Sequence, residues 1–277
     1  MSRELRLRII SGVVLAAVVF AATLYGGLPF RLLATAIAVL VYYEWSTITG
    51  LPARDPQGNA LGWLGMAAVC ASLLSLDSAY SAAFLLAFIV AAAVLVFLRG
   101  RSWWLPGGIL YAGLTAIALA EIRDDDFRGL VTMLFVFATV WATDILAYFV
   151  GRAIGGPKLA PRISPGKTWS GAIGGAVAAV VAGSGVILYF FMDSGPRVAV
   201  VAFVLSVCSQ VGDLFESFVK RRFGVKDSSH LIPGHGGVMD RVDGLIFACF
   251  AAFLLAIVLS LAAEGETASL GGALLGI

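Results

Sequence analysis

Between residues 8 and 263 the chain breaks into a succession of apolar runs, each close to the ~20 residues a helix needs to cross the hydrocarbon core of a bilayer. That repetition constrains everything else. Approximate limits are 8–25, 28–46, 61–76, 79–98, 105–121, 129–150, 169–191, 198–217 and 244–263, or about nine spans. The runs are continuously apolar and do not alternate, so helices are expected and a barrel is not. Composition agrees, with 60% of 277 residues hydrophobic, 13% charged and a mean hydropathy of +0.95. A water-soluble domain of this size has too much surface to cover with such content. The expected fold is therefore all-α, a polytopic integral membrane protein. MSRELRLR leads into an apolar run to about Tyr25 with no polar cleavage region after it, which predicts a retained first span.

Nine spans put the two ends on opposite sides. With a cytoplasmic N-terminus, the inner segments hold Arg3, Arg6, Arg8, Arg54, Arg99, Arg101, Arg152, Lys158, Arg162, Lys167, Lys220, Arg221, Arg222, Lys226 and Arg241, fifteen of nineteen basic residues. The outer segments keep Arg31, Arg123, Arg128 and Arg197 and the acidic run Asp124–Asp125–Asp126. This bias places the two long polar loops, 151–168 and 218–243, in the cytoplasm. Residues 1–127 carry few polar groups within their spans and form an N-terminal transmembrane region; functional information concentrates in 128–277. In the first region Glu44 is expected at the membrane interface, and Tyr42, Tyr43, Trp45, Trp103 and Trp104 at headgroup depth. Cys70, Cys208 and Cys249 lie inside apolar runs without ligand spacing and read as small buried hydrophobes.

The informative residues are the polar ones a membrane should reject. Asp144, Tyr148 and Arg152 follow one another at steps of four, so all three project from one helix face. A carboxylate at that depth is expensive unless paired, coordinated or open to water. Ser209, Asp213, Ser217 and Lys220 form a second polar stripe, with Glu216 beside it. Two helices of this kind, each with basic residues at the cytoplasmic end, read as walls of a polar cavity opening inward. In 226–243, KDSSHLIPGHGGVMDRVD, the PGHGG segment allows a tight turn with exposed N–H groups. Asp240 and Asp243, spaced i,i+3, become neighbours if a helix starts near 239. Such paired carboxylates suit Mg²⁺, while Lys226 and Arg241 can neutralise phosphate oxygens.

GGPKLAPRISPGKTWSG, 155–171, adds Lys158, Arg162 and Lys167. Its GKT is not a P-loop: the initial glycine should stand at 161, which is Pro161, and no β-strand is expected before it. Ser164, Lys167 and Thr168 still suit a phosphate near a helix N-terminus. His230 and His235 lack partners at zinc spacing. The basic loops lack the interleaved aromatics of a polymeric nucleic-acid site.

The stretch 217–243 closely resembles the signature of phosphatidate cytidylyltransferases (CDP-diacylglycerol synthases). Its elements here are Ser217, Lys220–Arg221, Lys226–Asp227, Pro233, His235–Gly236–Gly237 and Asp240–Arg241–x–Asp243, with VGDLFES, TDILAYFVGR and SPGKTWSG also similar. Ser229 stands where the family commonly has glycine. The likeness covers about 128–263 well. It implies CTP plus phosphatidate giving CDP-diacylglycerol and pyrophosphate at the cytoplasmic face of the inner membrane, with Mg²⁺, room for a second cation, and a homodimer. It implies metal ligands among Asp213, Asp240 and Asp243, with Asp144 lining the pocket. Lys167, Lys226 and Arg241 would screen the triphosphate, and Lys220 and Arg221 would attract phosphatidate. Ser164, Thr168, Ser217, Asp227, His235, Gly236 and Gly237 complete the expected substrate contacts. A CTP-dependent polyprenol or diacylglycerol kinase and an ion-coupled transporter are the alternatives, and the long signature favours nucleotidyl transfer over both.

Overall fold

A computed structural model of the chain describes residues 3–75, 78–192, 195–262 and 269–277, with side chains from residue 9 onward except Ser78. The side chains of Arg3, Arg6 and Arg8, and the expected span ends at 76 and 263, lie outside the described residues. The fold is all-α apart from one small hairpin, and the chain divides into two units, 1–120 with 222–241 and 121–221 with 242–277.

The first unit holds α1 (Arg3–Tyr25), α2 (Gly27–Thr49), the single turn α3 (Leu51–Arg54), α4 (Pro56–Leu74), α5 (Ser81–Arg99) and most of α6 (Trp104–Arg123). Gly50, with φ +71°, ends α2 in the left-handed conformation that a glycine reaches at no steric cost. Asp55 then caps α4, its Oδ1 accepting from the Gly58 N–H at 3.1 Å. Of the aromatics expected at headgroup depth, Trp103 and Tyr43 are exposed and Tyr42 and Trp45 pack within the protein. Trp45 donates from Nε1 to the Trp104 carbonyl at 2.8 Å and packs its ring on Trp104 and Tyr111. Periodicity alone could not separate a lipid-facing aromatic from one packed on a neighbouring helix.

The second unit holds α7 (Phe127–Ile154), the hairpin strands β1 (Lys158–Ala160) and β2 (Ser164–Thr168), α8 (Trp169–Phe190), α9 (Arg197–Arg222), most of α10 (Met239–Ala262) and α11 (Leu270–Leu275). Helices α7 and α8 pack at very close range, and glycine is the reason. An added Cβ would lie 2.6 Å from the Ala147 carbonyl at Gly171, 2.7 Å from the Thr143 carbonyl at Gly175, and 2.7 Å from Thr139 Oγ1 at Gly183. With Ala179 between them these small residues recur every four positions, the spacing that lets membrane helices approach backbone to backbone.

Seven described helices are long and apolar enough to cross a membrane: α2 and α5 through α10. Seven of the nine expected spans are thereby matched among the described residues. α1 is a 23-residue helix whose side chains are described from Ile9, and Ile9–Tyr25 is apolar throughout that part. At 19 residues α4 is ~28 Å long, so length is not what it lacks. It opens on Pro56–Gln57–Gly58–Asn59, which the apolar run 61–76 did not include. Helix ends also move. α7 runs to Ile154 and α9 to Arg222, so Lys220 and Arg221 are helical and the second polar segment shortens to 223–238. α10 begins at Met239, where the carboxylate pair required it.

Candidate active site

Among the described residues each unit contains a hollow with charged side chains in its lining. That of the second unit, about 620 Å³, is lined by Asp144, Tyr148 and Arg152 from α7, Lys158 and Lys167 from the hairpin, and Gln210 and Asp213 from α9. The steps of four along α7 thus bring three polar side chains to one cavity wall, where Arg152 Nη1 donates to the Tyr148 hydroxyl at 2.9 Å. Lys167 forms an ion pair with Asp213. Asp144 and Asp213 are close enough to interact electrostatically, and both act on Asp243, which α10 carries. α10 reaches α9 closely because Gly212 lacks a side chain: a Cβ there would lie 2.6 Å from the Asp243 carbonyl. Three helices therefore supply three mutually repelling carboxylates, with Lys167 as a cation acting on all three.

The hairpin corrects one expectation. A strand, β1, does precede the GKT tripeptide, and Gly166, Lys167 and Thr168 lie inside β2. The strands pair Lys158 with Thr168 and Ala160 with Ser164, while the Ile163 N–H closes the turn on the Ala160 carbonyl at 3.1 Å. Strands of three and five residues without alternation leave no periodic signal to read. A P-loop still does not result, because its glycines would have to lie between strand and helix rather than within a strand. Thr168 is the N-cap of α8: its Oγ1 accepts from the Gly171 N–H at 3.2 Å and meets Ser170 at 3.0 Å. Its hydroxyl borders the cavity already engaged.

Other expected residues fall away from this hollow. Lys220 pairs with Glu216 at 2.7 Å, with both side chains largely buried. Ser217 is half-buried and Arg221 exposed, and Arg162 and Ser164 belong to the outer end of the hairpin; none of these lines the cavity. Ser209 turns to α10, where a Cβ on Gly244 would sit 2.6 Å from its hydroxyl. From α9 it is Gln210 and Asp213 that face the cavity. Gln210 was missed from sequence, although its i,i+3 spacing from Asp213 was there to be found. Its amide donates to the Ala172 carbonyl at 3.2 Å and to Ser206 at 3.4 Å, and Ser206 meets Thr143 at 2.7 Å.

The hollow of the first unit, about 500 Å³, lies within the loop after α9 and is bordered by Lys226, Asp227, His230, His235, Gly236 and Arg241. Ile232–Pro233–Gly234–His235 is a turn closed by the His235 N–H on the Ile232 carbonyl at 2.9 Å, with Gly234 at φ +76°. Proline followed by a positive-φ glycine is what a type II turn requires. Arg241 Nε donates to the His235 carbonyl at 2.9 Å, and Ser11 of α1 meets His235 Nδ1 at 3.0 Å. Asp240 turns inward to the loop. Its Oδ2 accepts from the Ser228 N–H, the Ser228 hydroxyl and the Gly237 N–H, each at 2.8 Å.

Glu44 has a role that its sequence position did not show. It is fully buried, at 0% exposure, and its carboxylate belongs to this loop. Its two oxygens accept from the Ser228 hydroxyl at 3.0 Å, the Ser229 hydroxyl at 2.6 Å, the Val238 N–H at 2.8 Å and the Met239 N–H at 2.6 Å. No local pattern could have linked residue 44 to residues 228–239.

A metal would find hard ligands in the second unit. Among the described residues no group of three Asp, Glu, His or Cys side chains stands ready at metal-binding geometry. The donor set nevertheless fits: carboxylates from three helices converge beside an open cavity, and their mutual repulsion is what a divalent cation would relieve.

The model of the cytidylyltransferase family matches residues 6–259. A Brucella abortus protein called phosphatidate cytidylyltransferase is 46% identical over 254 residues, covering 91% of this chain and 93% of that one. One of the same name from Bacillus subtilis is 32% identical over 268 residues, 92% and 98% of the two chains. Another, from Haemophilus influenzae, is 48% identical over 143 residues, about half of each. The match runs across both units and through both hollows, and the chain belongs to the cytidylyltransferase family.

Proposed function

We propose that this multi-pass membrane enzyme transfers the cytidylyl group of CTP to phosphatidate, giving CDP-diacylglycerol and pyrophosphate. The observation that carries the reading is the meeting of Asp144, Asp213 and Asp243 with Lys167 at a cavity in a chain of membrane-spanning helices. A phosphate oxygen of the lipid attacks the α-phosphorus of CTP, the bond to the bridging oxygen breaks, and pyrophosphate leaves with the electron pair. The lipid phosphate is already a competent nucleophile, so the protein's work is alignment and charge neutralisation rather than covalent catalysis.

Asp213 and Asp243, with Asp144, would hold Mg²⁺, which supplies charge neutralisation at the reacting phosphates. Lys167 would screen phosphate oxygens from the same cavity, and Arg152, held by Tyr148, offers a second cation there. Lys226 and Arg241, at the rim of the loop hollow, would receive the triphosphate. Asp240, expected as a third ligand, is assigned to holding that loop, because its Oδ2 already takes three donors. A cytoplasmic active site has the charge bias in its favour. Whether nine or seven helices cross, both basic segments lie an even number of crossings from the N-terminus. Homodimerisation rests on the family resemblance alone.

The test is product analysis on the purified full-length protein in lipid, given labelled CTP, phosphatidate and Mg²⁺. A CDP-lipid and pyrophosphate in equal amounts are expected, with no product when CTP is withheld. A phosphorylated lipid accompanied by CDP would replace the proposal with a CTP-dependent lipid kinase.

A further inference from the structure

We propose that Glu44 is a positioning residue for nucleotide binding: from α2 it sets the shape of the 226–241 loop and hence the places of Lys226 and Arg241. This rests on the reading of that loop as the site for the CTP triphosphate. Residues 223–238 contain one isolated bridge and no helix, so the chain itself fixes little of their conformation. What fixes them is two carboxylates. Glu44 gathers donors from both ends of the loop, Ser228 and Ser229 at one and Val238 and Met239 at the other. Asp240 ties the same two ends together, through Ser228 and Gly237. The Ser228 hydroxyl lies within reach of both carboxylates, and its single proton serves one or the other at a time.

A helix can be capped by its own neighbouring residues without help from afar. Here the N–H groups that open α10 go to a carboxylate almost two hundred residues earlier in the chain, buried completely at the desolvation cost this entails. Such an arrangement holds the loop in one conformation. Lys226 lies two residues before Ser228, and Arg241 lies two after Met239 and bonds back to the His235 carbonyl. Both phosphate-binding candidates thus hang from the segment Glu44 clamps, while Glu44 itself, without exposed surface, touches no substrate.

The experiment compares Glu44→Gln, Ser229→Ala and Lys226→Ala in the full-length enzyme in lipid, with kcat and both KM values measured. Glutamine keeps the shape but turns one acceptor into a donor facing N–H and hydroxyl groups. The expected result is a KM for CTP raised on the order of tenfold in Glu44→Gln, with the KM for phosphatidate unchanged, and a smaller rise of the same kind in Ser229→Ala. Ser229→Ala removes one donor without stranding a buried charge, so it carries the test if Glu44→Gln does not fold. A lower kcat in proportion to folded protein, with both KM values unaltered, would make Glu44 merely structural and overturn the proposal. If Lys226→Ala raises the KM for CTP while neither clamp variant does, the positioning role fails and the loop assignment stands. If none of the three raises it, the loop is not the CTP site and both fall together.

Discussion

Asp213→Asn lowers kcat by about 10²–10³-fold, the scale set by removing one preorganised electrostatic group from a phosphoryl-transfer or acyl-transfer site. The substitution keeps shape and removes charge. In the present structure Asp213 is the ion-pair partner of Lys167 and the carboxylate that acts on both Asp144 and Asp243. Two explanations of the loss are separable. If Asp213 only holds Lys167 in place, the Mg²⁺ dependence of Asp213→Asn is that of the wild type and added Mg²⁺ restores nothing. If Asp213 holds the cation, Asp213→Asn needs more Mg²⁺ for half-maximal turnover, and raising Mg²⁺ partly rescues it, since two carboxylates of the three remain. The second outcome is expected. An unchanged Mg²⁺ dependence in Asp213→Asn would withdraw the metal from Asp213.

What could be read from the residues follows the range of the physics behind each signal. Spans were legible because bilayer thickness imposes a length and an apolar composition on each, and α4 departs because its polar opening turn dilutes that composition. Polar residues at helical spacing inside an apolar run were legible for a related reason: Asp144, Tyr148 and Arg152 had to share a face, and they line one cavity. The same rule misled on α9, where Ser209 and Ser217 continued the stripe by arithmetic but Gln210 faces the cavity. A helix has polar residues on several faces, and only its neighbours decide which one matters. Glu44 had no local signal at all. Its partners lie across the sequence, and an isolated glutamate near the end of an apolar run looks the same whether it faces headgroups or closes a loop. The small hairpin was invisible because three and five residues are too few to show a period.

Gly237→Ala collapses the loop and with it nucleotide binding. The position is buried, and its φ is not in the left-handed range, so backbone strain is not the cause. Space is. A Cβ at 237 would overlap the Ser228 hydroxyl and Glu44 Oε1, with Glu44 Cδ at 2.8 Å. The atoms in its way are those that join the two carboxylates, so the methyl cannot be accommodated without breaking the Ser228 bond to Glu44, Asp240 or both. Overpacking of this kind costs about 1–3 kcal/mol, and each hydrogen bond to a charged partner that is lost adds about 1.5–3 kcal/mol. At those values the ordered loop ceases to be the dominant state. The expected result is loss of detectable CTP binding and rapid amide exchange across 226–239, with protection of the α7 and α8 amides unchanged. Gly185→Ala supplies the control, since nothing lies within 4 Å of a Cβ at that helical position and alanine favours the helix. It should bind and turn over CTP as the wild type does. Wild-type exchange in the 226–239 loop of Gly237→Ala would show that the two carboxylates do not govern its conformation.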